Sequence, residues 1–552
     1  MSNNNQPTKS GFWSKVDMKA FIPGLICLLL VVAAGIIFPV SFNNVLTNIV
    51  NWLMEHFKWF YILCATGLVG LFAFLLCSKA GNIRLGGKKA KPSLKTSTWF
   101  TLSMTSTIAV GICFYGVSGP VSIFMDPPAF LGVEGGTPEA IIPALKYCFL
   151  HYAFPPFFLM VGFAFMISIM KYNGKRSLRL SDTLYPLIGD RVNGVAGTAI
   201  NSLQIISLVV CGTNMGLAAI QLNAGIGTVS GMAQTPNYEF IIIVGYTLLT
   251  ALFACSGVHK LMGSLSNVNA IFYFLILLFV LLVGPTNRLI NLGLTSVSEF
   301  IMDFFPMLTF GDPIYETGWQ TTNTMFYYSW NIAPALLHAL FYVTISYGRT
   351  LKEFIMVNCI LPAFVTMGWY TLLGGTAMFG ILNGSGLWET IQQFGSGIST
   401  FAFLDTLPLG SIMKWVFILV AIMTFITFSD GVAFSFPMLM VKDSAEDASY
   451  TKVPRALNVG IALFMGVLTF MLLYVGGYDA LNSVMVALAF PAAILMVLVM
   501  FSFVKFLRHR DKYDVTYQEE MAEVAQGETV DCEEIPFPAD EAADTEIPTA
   551  EA

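Results

Sequence analysis

The stretch from Met325 to Phe354, MFYYSWNIAPALLHALFYVTISYGRTLKEF, decides how this chain is read. It is a long apolar helix that breaks the rules of a lipid-facing helix in its middle. Trp330, Asn331, Pro334 and His338 stand where such a helix carries Leu or Val. The run then stops at the polar cluster Gly348-Arg349-Thr350-Leu351-Lys352-Glu353. Polar groups and a helix breaker at mid-membrane depth are costly, so they face a protein-lined or watery pathway.

Composition supports that setting. Of 552 residues, 56% are hydrophobic and 11% charged, with a mean hydropathy of +0.70. Soluble domains carry about 25% charged residues, so this is a polytopic membrane protein, all-α. The nine cysteines do not ask for disulfides. Eight lie in apolar spans, where a thiol behaves as a small hydrophobe, and Cys532 lies in a polar tail. The N-terminus has no short apolar core followed by a small-residue cleavage site, so the first span is expected to be retained. The net charge of −6 misleads: Tyr513–Ala552 holds 13 Asp and Glu and no Lys or Arg. The rest of the chain carries about +7. Residues 511–552 are too polar to bury a core and are expected to be a disordered acidic tail.

About 20 apolar residues cross a bilayer. Twelve spans are predicted, near 21–41, 58–78, 98–122, 140–170, 193–224, 238–257, 264–285, 322–346, 354–382, 409–430, 456–476 and 481–507. Residues 287–305 and 387–404, between spans, look amphipathic and fit the membrane surface. With both termini cytoplasmic, 24 of the 28 Lys and Arg fall on the inner side. Lys58, Lys146, Arg288 and Lys414 are the others. That asymmetry sets the orientation in a plasma membrane.

The chemistry is that of transport. No phosphate-binding GxxxxGK[ST] is present, which argues against ATP as the energy source. The five His are scattered and none pairs at metal-ligand spacing; no clustered acid–base set suggests an enzyme. Basic loops follow topology and do not suggest nucleic acid. Secondary transporters bind solutes at mid-membrane, where Gly or Pro loosens a helix. Three places qualify: the opening stretch; Ser103–Pro120, with Thr105, Thr107, Ala109 and Gly111 before Phe114-Tyr115; and Cys211–Gly227, with Asn214, Gln221 and Asn223. In the last, amides are better read as glue between packed helices. A quaternary ammonium group is best held by aromatic faces through cation–π attraction. The aromatics beside helix breaks are Tyr115, Tyr152, Phe157, Tyr327, Tyr328 and Trp330.

Short motifs recur in a telling order. They are Arg84-Leu85-Gly86, Phe114-Tyr115-Gly116-Val117, Phe124-Met125-Asp126-Pro127-Pro128, Tyr185-Pro186-Leu187-Ile188-Gly189-Asp190-Arg191, Val283-Gly284-Pro285-Thr286, Gly348-Arg349-Thr350 and Gly476-Gly477. In order and spacing the chain resembles the betaine/carnitine/choline transporter family from about Arg84 to Lys505. The resemblance implies twelve transmembrane helices with a leucine-transporter-like core of two inverted five-helix repeats plus two N-terminal helices. The divisions are 1–20, 21–82 (N-terminal helices), 83–318 (first repeat), 319–510 (second repeat) and 511–552. It implies a homotrimer that moves small quaternary-ammonium or zwitterionic solutes by sodium or proton symport, or by exchange.

The site residues depart from the family pattern. The glycine triplet of span 3 becomes Thr107, Ala109 and Gly111, and the acidic residue before its proline becomes Gly119. In span 4 two Trp positions hold Tyr152 and Phe157, and a Tyr position holds Met160. In span 8 only Trp330 is kept, beside Tyr328, Asn331 and Pro334. Losing two or three Trp weakens a betaine-type cage, each contact being worth about 0.5–2 kcal/mol. Asn331 would add an amide donor and acceptor. The expected solute is small and amine- or zwitterion-like, with a hydrogen-bonding group. For the coupling sodium, Thr427 keeps a ligand hydroxyl but the adjacent Ser position is Phe428; carbonyls near Thr105 and Ile108 would contribute. Alternatives are sodium-independent antiport and a receptor that binds without transport.

Overall fold

A computed structural model describes residues 18–105, 109–256, 259–441 and 453–526. The helices that matter here are α1 (Met18–Ile37), α2 (Pro39–Cys77), α3 (Thr96–Thr105), α4 (Ala109–Met125), α5 (Ile141–Tyr152), α6 (Phe154–Met160) and α7 (Ala164–Tyr172). They continue as α8 (Val195–Ile206), α9 (Val209–Ser230), α10 (Pro236–Ser256), α11 (His259–Val283), α12 (Thr286–Thr309) and α13 (Phe326–Ile345). The last are α14 (Leu351–Leu382), α15 (Gly410–Ser435), α16 (Arg455–Arg508) and α17 (Val515–Ala525). Among the described residues the one β contact is an isolated bridge from Arg84 to Thr350.

Eight helical stretches of the described residues are long and apolar enough to cross a membrane, and 22–37 and 111–125 are shorter apolar helices. The helix α13 is not among the eight. Its Tyr, Trp, Asn, Pro and His lower its hydropathy, yet 17 of its 20 residues are buried. It can be polar because protein, not lipid, surrounds it.

Several boundaries differ from the apolar runs of the sequence. The second span, expected at 58–78, belongs to a 39-residue helix, α2. Its first half was missed because Asn43, Asn44, Asn48, Asn51 and Glu55 interrupt the apolar run. The last two expected spans form one run, α16, broken at Gly476 and at Gly477, whose φ is +57°. Residues 286–309 do form an amphipathic helix, α12. It buries Leu289, Leu292 and Phe300 and exposes Leu294, Ile301, Met302 and Phe305. Lys146 on α5 ties it down through Glu299, at 3.4 Å, and Asp303. The stretch 387–404 is two short helices, Leu387–Phe394 and Ser399–Asp405.

At the end of α13 the chain is clasped. Thr350 caps α14 in a capping box with Glu353. The 83–85 segment lies alongside: Leu85 N donates to Arg349 O at 2.9 Å, Gly348 N to Leu85 O at 3.0 Å and Leu351 N to Ile83 O at 3.0 Å. Arg349 reaches Leu94 O at 2.6 Å and lies over the Trp99 ring.

The acidic tail is not disordered from 511 onward. Arg510–Tyr513 and α17 are helical, and the rest of the tail, from 527, lies outside the described residues. Asp514, fully buried, caps α17 by accepting from Tyr517 N at 3.1 Å, and it pairs with Arg510 at 2.7 Å. Thr516 takes a hydrogen bond from Asn173 at 3.0 Å, Glu520 one from Lys88 N at 2.7 Å, and Glu523 pairs with Lys89. The acidic composition that suggested disorder is matched by the 84–89 loop. Asp514→Ala removes the cap and strands Arg510, a loss of about 1–2 kcal/mol or more. Hydrogen exchange over 515–525 is expected to accelerate in that variant while the core helices keep their protection.

Candidate aromatic solute site

The site is built on two helical spacings. Gly111 and Tyr115 are four residues apart on α4, and Tyr327 and Trp330 are three apart on α13, so each pair shares a helix face. The Trp330 ring lies on Gly111: a Cβ there would stand 2.8 Å from Trp330 Cη2. Only glycine lets the indole approach this closely. Tyr115 meets Trp330 edge-on at 5.9 Å and Tyr327 edge-on at 6.1 Å. Tyr152, at the end of α5, packs 5.6 Å from Tyr115 and 4.6 Å from Tyr327, and its hydroxyl donates to that of Tyr327. Tyr370 of α14 stacks on Tyr152 at 4.8 Å. The Tyr115 and Tyr478 hydroxyls are 2.9 Å apart.

Around this cluster, His151 stacks on Tyr327 at 4.8 Å, and its Nε2 lies 3.0 Å from Thr324 Oγ1. Gly119 explains itself here. A Cβ on it would stand 2.9 Å from the Tyr152 hydroxyl and 3.0 Å from its ring. Positions 119 and 152 are therefore sterically coupled: a side chain at 119 would displace the Tyr152 ring. Pro334 has no N–H for the Trp330 carbonyl, which frees an acceptor beside the cluster.

The structure thus joins four of the candidates, Gly111, Tyr115, Tyr152 and Trp330. Asn331 is adjacent, but its Nδ2 donates to Tyr327 O at 2.7 Å, so its donor half is spent on the helix. Tyr328 does not join them. Two residues from Trp330 is about 200° around a helix, and its hydroxyl donates instead to Leu308 O of α12 at 3.2 Å. Phe157 is buried on the α14 side, where its carbonyl accepts from Cys359 at 3.6 Å. Ala109 and Thr105 are placed as helical backbone; Thr107 and Ile108 lie outside the described residues. Tyr370 and Tyr478 were missed. Tyr478 directly follows the Gly476-Gly477 break, the same signal that singled out Tyr327. Tyr370 opens a π-helical turn, Tyr370–Gly374, that no local pattern announces.

A cavity of about 700 Å³ lies at the end of α13 opposite the clasp. Glu55, Lys58, Asp312, Glu316, Gln320 and Phe326 line it, and the Phe326 ring lies 5.0 Å from Tyr327. Its lining carries three carboxylates, Glu55, Asp312 and Glu316, against one lysine, Lys58. Burial opposes the charge on Asp312, but the Thr317 hydroxyl and N–H, each at 2.8 Å, hold its pKa below the ordinary aspartate value.

Thr427 donates to Thr424 O at 2.9 Å, while Phe428 packs against His338 at 5.4 Å. Thr424 Oγ1 takes hydrogen bonds from Asn269 at 2.9 Å and lies 2.9 Å from the Tyr273 hydroxyl. The amides of α9 act between and along helices. Gln221 donates to Cys113 O at 2.8 Å and Asn214 to Val210 O at 3.2 Å, as expected of packing groups.

A tryptophan on a small-residue step is thus ringed by tyrosines inside the helical bundle, and comparison of the whole chain settles its kinship. Residues 19–512 match the model of the betaine/carnitine/choline family transporters. The chain belongs to that family. It is 30% identical over 473 residues to the glycine betaine transporter OpuD of Bacillus subtilis, covering 85% of this chain and 90% of that protein. The osmo-independent choline transporter BetT1 of Acinetobacter baylyi is 29% identical over 486 residues, 87% of this chain and 91% of that one. The betaine/ectoine transporter LcoP of Corynebacterium glutamicum is 30% identical over 498 residues, 87% and 76% of the two chains. This family member is a multi-pass membrane transporter, not an enzyme.

Proposed function

We propose that the protein is a secondary active transporter of a small quaternary-ammonium, betaine-like or other zwitterionic amine solute across the plasma membrane. The observation that carries this reading is the convergence of Trp330, Tyr115, Tyr152 and Tyr327 beside Gly111, inside protein and away from lipid. Aromatic faces attract the cationic end. Trp330 Nε1 and the Tyr370 hydroxyl are buried without a hydrogen-bond partner among the described residues. An unmade buried bond costs about 1–3 kcal/mol, so these groups suit a solute that brings its own acceptor. The names of the relatives, with betaine, choline and ectoine among their solutes, agree with that class.

Twelve passes fit the helices. The eight apolar stretches are joined by the two shorter ones and α13, and α16 counts twice because of its break at Gly476-Gly477. With them go inverted repeats over 83–318 and 319–510, cytoplasmic termini and a homotrimer, as in the family.

Coupling to sodium rests on Thr427. Its hydroxyl and the Thr424 carbonyl are two hard oxygen donors 2.9 Å apart, which suit a sodium ion carried as co-substrate. Phe428, packed on His338, supplies no oxygen, and this favours sodium-independent antiport as the second reading. Thr427→Val is expected to raise the half-saturating sodium concentration severalfold; unchanged sodium dependence would remove Thr427 from the ion site. Flux into proteoliposomes tests the function itself. Uptake driven by a sodium gradient supports symport, counterflow without ions supports antiport, and solute binding without flux contradicts transport.

A further inference from the structure

We infer that the cavity at the end of α13 opposite the clasp binds an organic dication with N–H donors at both ends, a short aliphatic diamine, at a site separate from the aromatic cluster. Its wall carries Glu55 on α2 and Asp312 and Glu316 on the loop that precedes α13, against Lys58. Three negative charges against one positive leave two to be matched, the charge of a diamine. The Thr317 hydroxyl and N–H hold Asp312 in its ionised form.

Acidity alone would attract any cation, and Gln320 narrows the choice. It lines the cavity and is 1% exposed, and neither its amide oxygen nor its amide nitrogen has a hydrogen-bond partner among the described residues. A buried amide left unbonded is costly, so its oxygen calls for a donor. A primary ammonium brings three N–H donors, and a quaternary ammonium brings none. The cavity therefore favours a different amine from the quaternary class proposed for the aromatic cluster, and the inference does not rest on that proposal. A lone metal ion fits poorly. Among the described residues no three His, Cys, Asp or Glu side chains converge to hold one, and about 700 Å³ is far more space than one ion fills. Carboxylates contributed by two separate elements of the wall suit an extended dication.

The site adjoins the helix that presents the cluster. Thr321 and Thr322 line the cavity from a π-helical turn, Thr321–Met325, that leads into α13. Such turns are rare and are found most often at functional sites. A bound diamine therefore steadies the turn from which Tyr327 and Trp330 follow.

The test is calorimetric titration of the purified full chain with putrescine at low ionic strength, where saturable binding is expected. The fully N-methylated, bis-quaternary analogue of putrescine has the same charge and no N–H, and is expected to bind on the order of tenfold more weakly. Glu55→Gln combined with Glu316→Gln, both at exposed positions that do not threaten folding, is expected to weaken putrescine by on the order of tenfold. Gln320→Leu replaces a partnerless buried amide with an apolar side chain of similar size. It should melt no lower than wild type and yet bind putrescine severalfold more weakly. Trp330→Phe should leave putrescine binding unchanged, which separates this site from the aromatic cluster. Absence of saturable binding, equal binding of the methylated analogue, wild-type affinity in the folded Glu55→Gln/Glu316→Gln or Gln320→Leu proteins, or loss of binding in folded Trp330→Phe overturns the inference.

Discussion

Trp330→Ala is expected to eliminate uptake at solute concentrations that saturate the wild-type protein. Two effects add. The indole is the largest π surface in the cluster, and losing one cation–π contact costs about 0.5–2 kcal/mol, a roughly 2- to 30-fold loss of affinity. The ring is also packed on Gly111 and edge-on to Tyr115, so its removal leaves a void between α4 and α13. Truncating a buried Trp typically costs about 3–5 kcal/mol of stability. Trp330→Phe separates the terms: it keeps an aromatic face and most of the packing but removes Nε1, which has no hydrogen-bond partner among the described residues. That variant should stay folded and show a raised half-saturating concentration. Wild-type uptake by folded Trp330→Ala would remove the tryptophan from the site.

Gly348→Ala is expected to destabilise the protein more than any other single methyl considered. Gly348 has φ of +77°, where an L-residue costs about 1–2 kcal/mol. Its added Cβ would stand 2.4 Å from Lys91 C and 2.6 Å from Pro92 N. These are backbone atoms, and no side-chain rotation relieves the clash. The 83–92 loop must move, breaking the bonds among Ile83, Leu85, Gly348, Arg349 and Leu351 and opening the dock for α17. Overpacking adds about 1–3 kcal/mol. Gly384, also at φ +77° but with nothing near its Cβ direction, is the control for strain alone. Melting curves should place Gly348→Ala well below Gly384→Ala. Equal melting temperatures would mean that the clasp contributes nothing.

The stretch that fixed the fold was legible because its polar residues have no place in lipid. Its helix, its Gly-Arg-Thr end and the family all followed from it. The site was half legible. Gly111, Tyr115, Tyr152 and Trp330 meet because helical spacing brings them to facing sides of α4, α5 and α13. Tyr328 lies away from Trp330 and bonds to Leu308, as residues two apart on a helix face different sides. Asn331 was read as a free amide, but the freedom of an amide depends on the nearest carbonyl, which only the fold reveals. Tyr370 arrives from a helix distant in sequence and could not be found locally. The docked tail was hidden for a related reason: composition measures charge, not whether a basic loop waits for it.

The most direct measurement is a melting-temperature screen of the purified full chain against amines, betaines and amino-acid-like solutes, run in parallel on wild type and on folded Trp330→Phe and Tyr152→Phe variants. Ligand that binds the native state raises its melting temperature by mass action. The expected result is a zwitterionic amine bearing a hydrogen-bonding group that stabilises the wild type and shifts both variants markedly less. A solute that stabilises all three equally would contradict the placement of the binding site in the Tyr115–Tyr152–Tyr327–Trp330 cluster.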